Sequence, residues 1–243
     1  MNRFLLSFAV LGWGAISACQ PTTPTATETP TNKPTIAAAP SSEANFDEAL
    51  YRFANPDVMK LIEQGKYKSG LDHYTQVGQT AKNPDGGDYE SFFFGTEGND
   101  TVQGFGKGKH AHFSGVAFEI VPKKDDPIPL KPKSLGKGEK DVLVGTTEGG
   151  NEFVLGSFKT SVSPKAEPFY VGQGDADYAQ VQNFKPATDS ILLAGQPNQY
   201  KFAPKDGNVQ ILTTSGDLVA IIEGTDKLQV EEVMKDLDVF TVK

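Results

Sequence analysis

The feature that most constrains this chain is the stretch at residues 95–104, which has the sequence GTEGNDTVQG. It follows the nonapeptide pattern G-G-x-G-x-D-x-U-x, with Thr96 in place of the second glycine. The glycines permit a tight turn whose carbonyls point inward. Asp100 supplies a hard anionic oxygen of the kind that calcium prefers, and Val102 starts a short strand. One such turn predicts half of a calcium site, so other parts of the chain must supply the second half.

Two weaker copies of this pattern follow. Residues 136–145 keep Asp141 and an apolar residue two places later, but Glu139 stands where the pattern has glycine. Residues 149–156 keep the glycines and the strand, with Asn151 in the aspartate position. The step from Asp141 to Asn151 is ten residues, whereas the repeat requires nine. We interpret the turn geometry as partly retained and the calcium ligands as eroded.

Residues 95–104 resemble a repeat of the RTX, or hemolysin-type, calcium-binding β-roll, in which each calcium ion lies between the turns of successive repeats. The last third of the chain resembles the C-terminal part of a family of secreted calcium-binding β proteins. With the glycine motifs, the resemblance covers about residues 89–230. It implies a calcium ion bound by Asp100 with the carbonyls of Gly95 and Gly98, and next by Asp141. The alternative is a β-roll whose glycine turns have lost calcium. The matching segments are residues 152–156, 169–172, 174–179, 183–184, 189–193 and 216–220.

The segments between the turns predict a mainly β protein, with an RTX-like β-roll or β-sheet domain over residues 89–243. Tight turns are expected at Asp206-Gly207 and at Ser215-Gly216. Residues 123–132 contain three prolines and predict a surface loop, and residues 231–236 predict one helical turn. The predicted strands are residues 89–94, 113–121, 178–181, 191–193, 200–202, 209–212, 218–222 and 239–242.

The first 19 residues predict an export signal that is not part of the fold. Arg3 gives a positive start, and the apolar run at residues 4–16 is too short to span a bilayer as a helix. The run ends in ISAC, which resembles a bacterial lipobox, so Cys19 is the predicted site of acylation and the membrane anchor. The alternative is an ordinary signal peptide with an incidental cysteine. The lipobox predicts an extracytoplasmic protein of the bacterial cell envelope, attached by lipid to the plasma or outer membrane.

A tether and a small helical module are predicted between the anchor and the β domain. Residues 20–45 combine prolines and threonines without an apolar period, which is typical of a disordered tether.

Residues 46–80 predict three short helices, with Ser69 as the N-cap of the third. The module resembles a short helical repeat of bacterial surface and RTX-type proteins, and it is expected to dock either against the chain's own β domain or against a protein partner. A chain that starts at Asp88 is expected to fold without it. The residues that predict the first two helices are Phe46, Leu50 and Phe53, then Asn55 and Pro56.

The overall charge and the cysteine count exclude several classes of function. The net charge is −8 and the pI about 5.0, which argues against a nucleic-acid partner because basic patches supply most of that affinity. Cys19 is the only cysteine. The chain therefore has no internal disulfide, and after acylation no thiol is left for catalysis.

Metal chemistry would have to involve the three histidines, His73, His110 and His112. On a strand, His110 and His112 would share one face, and a third ligand would come from Glu119 or Asp100. We favour a polar loop with exposed imidazoles for this pair, and a packing or capping role for His73.

Carboxylates and motifs give no compelling catalytic site either. Asp175 and Asp177 are interpreted as flanking a turn, or as giving a calcium ligand, in preference to paired glycosidase carboxylates. The sequence has neither a G-x-S-x-G elbow nor a P-loop. It therefore predicts a membrane-anchored, non-catalytic lipoprotein with a weak or vestigial calcium-binding β domain. The alternatives are an adhesion or scaffold protein without calcium and, last, a metal-dependent hydrolase that uses His110 and His112.

Overall fold

The chain winds into a β-solenoid of about three turns, preceded by short helices. The computed structural model describes residues 42–123 and 129–243. The predicted export signal, Cys19 and most of the tether therefore lie outside the described residues. The predicted fold class, a mainly β protein with a small N-terminal helical module, is confirmed.

Each of the three turns contributes one strand to each of two sheets, and one further parallel strand follows in each sheet. In both sheets four strands run parallel, and two antiparallel strands extend the sheet beyond the last of them. The first sheet contains, in spatial order, β1 (Glu90–Phe94), β3 (His110–Ser114), β7 (Asn151–Val154), β9 (Ser190–Ala194), β14 (Val239–Val242) and β13 (Val230–Met234). The second sheet contains, from the same end, β2 (Thr101–Gln103), β6 (Lys140–Val144), β8 (Tyr178–Gln182), β12 (Leu218–Ile222), β11 (Asn208–Thr213) and β10 (Tyr200–Lys205).

Two kinds of corner join these strands. The first corner leads from a first-sheet strand to the second-sheet strand of the same turn, and the second corner leads back to the next first-sheet strand. A hairpin of β4 (Phe118–Ile120) and β5 (Leu130–Pro132) is inserted in the first corner between β3 and β6. Parallel pairing without offset stacks equivalent corners on one another, so residues that are distant in the sequence become neighbours there.

Ladders of inward-facing side chains form the core. In the first sheet, Phe93, Phe113 and Phe153 occupy paired positions, with successive ring centroids 5.3 and 5.4 Å apart. All three side chains are fully buried. Because side chains alternate between the faces of a strand, the residues next to each phenylalanine point away from this ladder. The corresponding ladder of the second sheet consists of Val102, Leu143, Val181 and Ile222.

The three predicted helices are present. They are α1 (Glu48–Ala54), α2 (Pro56–Glu63) and α3 (Gly70–His73), preceded by a 3₁₀ turn (Ser42–Asn45) and followed by a π-helical turn (Tyr74–Gly78). Ser69 caps α3 as predicted, because its Oγ accepts a hydrogen bond from Asp72 N at 3.0 Å. Asn55 precedes α2 as predicted, but its side chain does not cap the helix; Nδ2 donates instead to Glu90 O of β1 at 2.9 Å. No helix of residues 42–123 and 129–243 is long and apolar enough to cross a membrane.

The helices cover the N-terminal end of the solenoid. Phe46 forms an antiparallel bridge with Phe93, and their ring centroids lie 5.9 Å apart. The ring of Tyr74 lies 6.1 Å from that of Phe93, and Asp47 N donates to Phe92 O at 2.8 Å. The helices and the solenoid therefore share one hydrophobic core.

Three segments differ from the sequence-based prediction. The strand predicted at residues 113–121 is divided in two: β3 already begins at His110, where it pairs with β1, and the chain turns at Gly115 before β4. A Cβ atom at Gly115 would collide with Asp141 Oδ2 and Tyr170 Oη, so only glycine fits this turn. Residues 130–132 of the predicted loop pair with β4. Residues 231–234 of the predicted helical turn lie in β13, where pairing with β14 outweighs the local helical spacing.

Candidate functional site

The strand register brings the two motif aspartates together at the first corner. Thr101 pairs with Val142, so Asp100 and Asp141, the residues immediately before them, occupy equivalent positions on adjacent turns. They are neighbours although 41 residues separate them in the sequence. The first corner of these two turns is therefore the place to test the predicted calcium site.

Asn151 lies elsewhere, at the second corner. It begins β7 and contacts Asp189 of the following turn, where Asn151 N donates to Asp189 Oδ1 at 3.1 Å. The ten residues from Asp141 to Asn151 cross the solenoid from one corner to the other. Asn151 is thus not the next copy of Asp141 in the same stack of turns.

Asp100 stabilises the glycine turn in which it lies. Its Oδ2 accepts hydrogen bonds from Thr96 N at 2.7 Å and from Thr96 Oγ1 at 3.2 Å. Gly98 has a φ of 99°, a conformation that favours glycine, and a Cβ at Gly95 would lie 2.8 Å from Asp100 Oδ2. The aspartate and the glycines of the motif therefore act together to close this turn.

Asp141 links two turns and is almost completely buried, with 1% of its surface exposed. Its Oδ1 accepts from Asp100 N at 2.8 Å, and its Oδ2 accepts from Tyr170 Oη at 2.6 Å. Burial raises the pKa of the Asp141 carboxyl, while these two hydrogen bonds act in the opposite direction. No local sequence pattern places Tyr170 next to Asp141, so this contact is evident only in the folded chain.

The second corner repeats this arrangement with different residues. Asn151 Oδ1 accepts from Thr146 N at 3.0 Å and from Thr146 Oγ1 at 2.8 Å, and so closes its own turn. Asp189 Oδ2 accepts from Lys185 N at 3.0 Å and from Asn151 Nδ2 at 3.0 Å, and so links two turns. We call Asp100, Asp141, Asn151 and Asp189 the corner side chains. Each one receives hydrogen bonds from a turn of the solenoid.

These contacts decide how well the predicted calcium ligands fit an ion. Calcium needs several oxygens that are free to face it, but both carboxylate oxygens of Asp141 and both of Asp100 already face N–H or O–H donors. Within the described residues, no group of three or more His, Cys, Asp or Glu side chains is arranged to hold a metal ion. As arranged here, the set of Gly95, Gly98, Asp100 and Asp141 does not fit calcium.

Two other carboxylates at the first corner, those of Asp177 and Glu139, each have one buried oxygen without a hydrogen-bond partner. Asp177 is fully buried; its Oδ2 accepts from Gly138 N at 3.2 Å, but its Oδ1 has no hydrogen-bond partner. Glu139 Oε2 is also buried without a partner. Burial raises the pKa of Glu139; a hydrogen bond from the Gly98 backbone opposes this change, and the nearby acidic side chains, Asp141 first, add to it. The sequence signal for this pair was Glu139 at a glycine position of the motif.

The histidines do not assemble a metal site. His112 lies on β3 and is 7% exposed, so the predicted exposed loop is wrong for this residue. Its Nδ1 lies 3.1 Å from Glu152 Oε1 and its Nε2 lies 3.6 Å from Glu90 Oε2, and the ring stacks on Phe92. His110 is half-buried on the same strand. We describe His112, Glu90 and Glu152 as the His112 cluster.

The third ligands predicted for His110 and His112 are engaged elsewhere. Glu119 forms an ion pair with Lys131 at 3.7 Å, and Asp100 closes its own glycine turn.

His73 is buried in the helical module, where its Nδ1 lies 2.8 Å from Tyr51 Oη. That contact agrees with the packing role expected from the sequence.

Burial and charge explain the protonation of His112. Burial alone would lower its pKa, but the carboxylates of Glu152 and Glu90 outweigh that effect and raise the pKa to about 10. The ring is therefore a cation held between two acidic side chains. A protonated imidazole cannot bind a metal ion or act as a general base at neutral pH.

A polar cavity of about 380 Å³ lies beside β9 and β10. Its amide and carboxylate groups bond to one another: Gln196 Nε2 donates to Asp238 Oδ1 at 3.1 Å, and Gln196 N donates to Gln199 Oε1 at 2.6 Å. These hydrogen bonds link Gln196, Gln199 and Asp238 of the lining to one another.

Comparison with known protein families and curated proteins found no match for this chain. The resemblance to calcium-binding β-rolls therefore consists of the glycine motifs and of a solenoid fold that is loosely compatible with a β-roll.

Proposed function

We propose that this protein is a lipid-anchored, non-catalytic scaffold of the bacterial cell envelope, located outside the cytoplasm. Its folded part would be a solenoid in which hydrogen bonds hold the turns where a β-roll uses calcium. The observation that supports this proposal best is Asp141, a motif aspartate with both oxygens bonded to groups of the chain itself. The calcium function of the motif positions is then vestigial.

The anchor in this proposal rests on the sequence. The only cysteine, Cys19, follows small residues and an apolar run, and a Pro/Thr-rich segment separates it from the folded part. Such a segment acts as a spacer between a membrane and a folded domain. Attachment through lipid leaves the solenoid outside the bilayer, where it can meet other envelope components.

The non-catalytic role is supported by what the polar residues of the solenoid do. The corner side chains bond to turns, and the ring of His112 is enclosed between Glu90 and Glu152. A protein partner at the helical module would have to meet its outer surface, because the inner surface packs on β1. Met59 of α2, which is 40% exposed, lies on that outer surface.

Cell fractionation combined with proteolysis tests the proposal. We expect the wild-type protein to stay in the membrane fraction after washes with high salt and with a calcium chelator, and Cys19→Ser to lose its acyl label and become soluble. In both proteins a protease-resistant core should persist in chelator, because hydrogen bonds hold the turns. A membrane-bound Cys19→Ser protein would contradict the anchor, and a core that is digested only in chelator would contradict the scaffold.

A further inference from the structure

The hairpin of β4 and β5 and the loop at residues 157–167 form one unit that is added to the solenoid. Neither contributes a strand to the two solenoid sheets. The rings of Phe118 and Phe158 stack with their centroids 6.3 Å apart, and Thr160 Oγ1 donates to Leu130 O at 3.1 Å, so the loop is held against the hairpin. We call residues 118–123, 129–133 and 157–167 the hairpin–loop unit.

The inner side of this unit is apolar, and its outer side carries lysines. Phe118 and Leu130 are buried, and the ring of Phe118 lies 5.5 Å from that of Phe94 in β1. Because side chains alternate along a strand, Lys131 projects from the face opposite to Leu130, and Lys133, two residues later, projects from the same face as Lys131. The exposed lysines of the unit are Lys123, Lys131, Lys133, Lys159 and Lys165.

This unit is basic on a chain that is acidic overall. The sequence segments 118–133 and 157–167 contain six lysines and four acidic residues, whereas the whole chain has 23 basic and 31 acidic residues. Lys131 forms one ion pair, with Glu119. Across residues 42–123 and 129–243, Lys133, Lys159 and Lys165 take part in no ion pair. These three charges do not hold the fold together and are available to an external partner.

The lysines of the hairpin–loop unit suit an extended anionic surface better than a small anion. A small anion requires several donors that are fixed around it, whereas these lysines are exposed and come from separate segments of the hairpin and the loop. A lysine side chain is flexible and keeps its ammonium group in water, so several of them can adapt together to a plane of negative charge.

We propose that the hairpin–loop unit docks on the anionic phospholipid surface of the membrane that anchors the chain. This inference rests on the proposed lipid anchor, which keeps the unit close to the membrane, so that a weak attraction is sufficient. Each lysine near an anionic bilayer raises the partition coefficient by about fivefold. The rest of the chain carries most of the acidic residues and is repelled by the same surface, which orients the solenoid on the membrane.

Vesicle sedimentation of the full-length Cys19→Ser protein tests this docking without the acyl anchor. The vesicles contain either equal parts of phosphatidylglycerol and phosphatidylcholine, or phosphatidylcholine alone. The neutral vesicles report any contribution of the apolar run at residues 4–16. At low ionic strength we expect at least about tenfold stronger binding to the anionic vesicles. This difference should vanish in high salt, which screens exposed charges.

Substitution of the lysines locates the binding surface. A variant with serine in place of Lys131, Lys133, Lys159 and Lys165 should lose the preference for anionic vesicles. A variant with arginine at the same four positions should keep it, because arginine preserves the charge. The matched control makes the same change in net charge at exposed lysines outside the unit and should keep most of the preference. Its substitutions are Lys60→Ser, Lys66→Ser, Lys205→Ser and Lys227→Ser.

The proposal is overturned by equal binding to both kinds of vesicle, or by an equal loss in the control variant. It is also overturned if soluble polyglutamate, and not the anionic vesicles, binds the unit, which would indicate an acidic protein partner. The result is separate from the test of the anchor. The high-salt wash of the membrane fraction releases charge-dependent contacts, and the acyl label on Cys19 does not depend on the lysines.

Discussion

Each corner side chain stabilises a turn through its own hydrogen bonds. Asp100 and Asn151 accept from the main chain four or five residues earlier, at Thr96 and Thr146. Asp141 and Asp189 also accept from the main chain of the preceding turn of the solenoid. A hydrogen bond to a charged group contributes about 1.5–3 kcal/mol. The three aspartates among them therefore contribute a substantial part of the stability of their turns.

Three of these four residues have a signal in the sequence, although that signal indicates a calcium ligand. The motif spacing singled out Asp100, Asp141 and Asn151 as calcium-type positions, and the structure does place each of them at the start of a strand in a turn. The pattern could not show which donors each carboxylate meets. Tyr170, which donates to Asp141, lies 29 residues away in the sequence, so only the folded chain reveals this contact.

The His112 cluster contains a buried positive charge that two carboxylates compensate. Removing a buried cation from water is unfavourable unless opposite charges and hydrogen bonds compensate. Here Glu152 and Glu90 flank the ring on both sides, and Phe92 covers one face. The cluster holds β1, β3 and β7 in register on the outer side of the first sheet.

The protonation of His112 predicts a pH dependence of stability. Its pKa is raised to about 10 in the folded chain, against about 6.5 for an unfolded histidine. The stabilisation is therefore complete below about pH 6.5, declines as the pH rises, and is lost above about pH 10. We expect the free energy of unfolding, measured with urea at pH 7, 8 and 9, to decline in the wild type and to decline less in His112→Gln.

The neighbouring histidine supplies the control for this experiment. His110→Gln changes the other imidazole of this strand, which pairs with Glu90, but leaves His112, Glu90 and Glu152 in place, so it should keep most of the wild-type slope. Glu152→Gln, which removes one of the two acidic partners, should give a shallower slope than the wild type. Equal slopes in the wild type and in His112→Gln would show that His112 does not hold an extra proton in the folded state.

At the scale of elements, the two ends of the solenoid are protected in different ways. A solenoid exposes a sheet edge at each end unless a cap covers it. The N-terminal edge is covered by helices through Phe46 and Asp47. At the other end, the edge strand β10 contains Pro204 and Lys205, and β13 contains two exposed glutamates, Glu231 and Glu232.

The contacts of the helical module change the expectation for a truncated chain. The sequence predicted that a chain starting at Asp88 would fold alone. Loss of the helices would expose Phe93 and leave the edge of β1 without Asp47 and Asn55. Because of these contacts, the truncated chain should lose its cooperative thermal transition, measured by circular dichroism. The matched control is a chain starting at Pro40, which keeps the helices and should melt cooperatively. A cooperative melt of the shorter chain would show that the solenoid is stable without its cap.

For the whole molecule, local patterns predicted most elements but not their arrangement. Helix caps and alternating apolar residues are local signals, and they located α1 to α3 and most strands within a few residues. The hairpin inserted between β3 and β6 lengthens this turn of the solenoid, so the sequence spacing between β2 and β6 does not match the repeat length. The stacking of Asp100 on Asp141 was therefore not predictable from the repeat length. The proximity of Glu139 and Asp177, which lie on adjacent turns, is likewise not evident from the sequence spacing.

We propose that hydrogen bonds, and not an ion, hold the motif aspartates. The most direct measurement compares the Tm of the wild type and of Asp141→Asn, first in calcium and then in chelator. The substitution places an N–H group opposite a donor, so a loss of about 1–3 kcal/mol is expected, which corresponds to roughly 2–12 °C. Tyr170→Phe, which deletes only the donor to Oδ2, should give a smaller loss, and Glu97→Gln at an exposed site none. We expect the same difference in Tm between wild type and Asp141→Asn in both buffers; a difference that disappears in chelator would show that an ion holds Asp141.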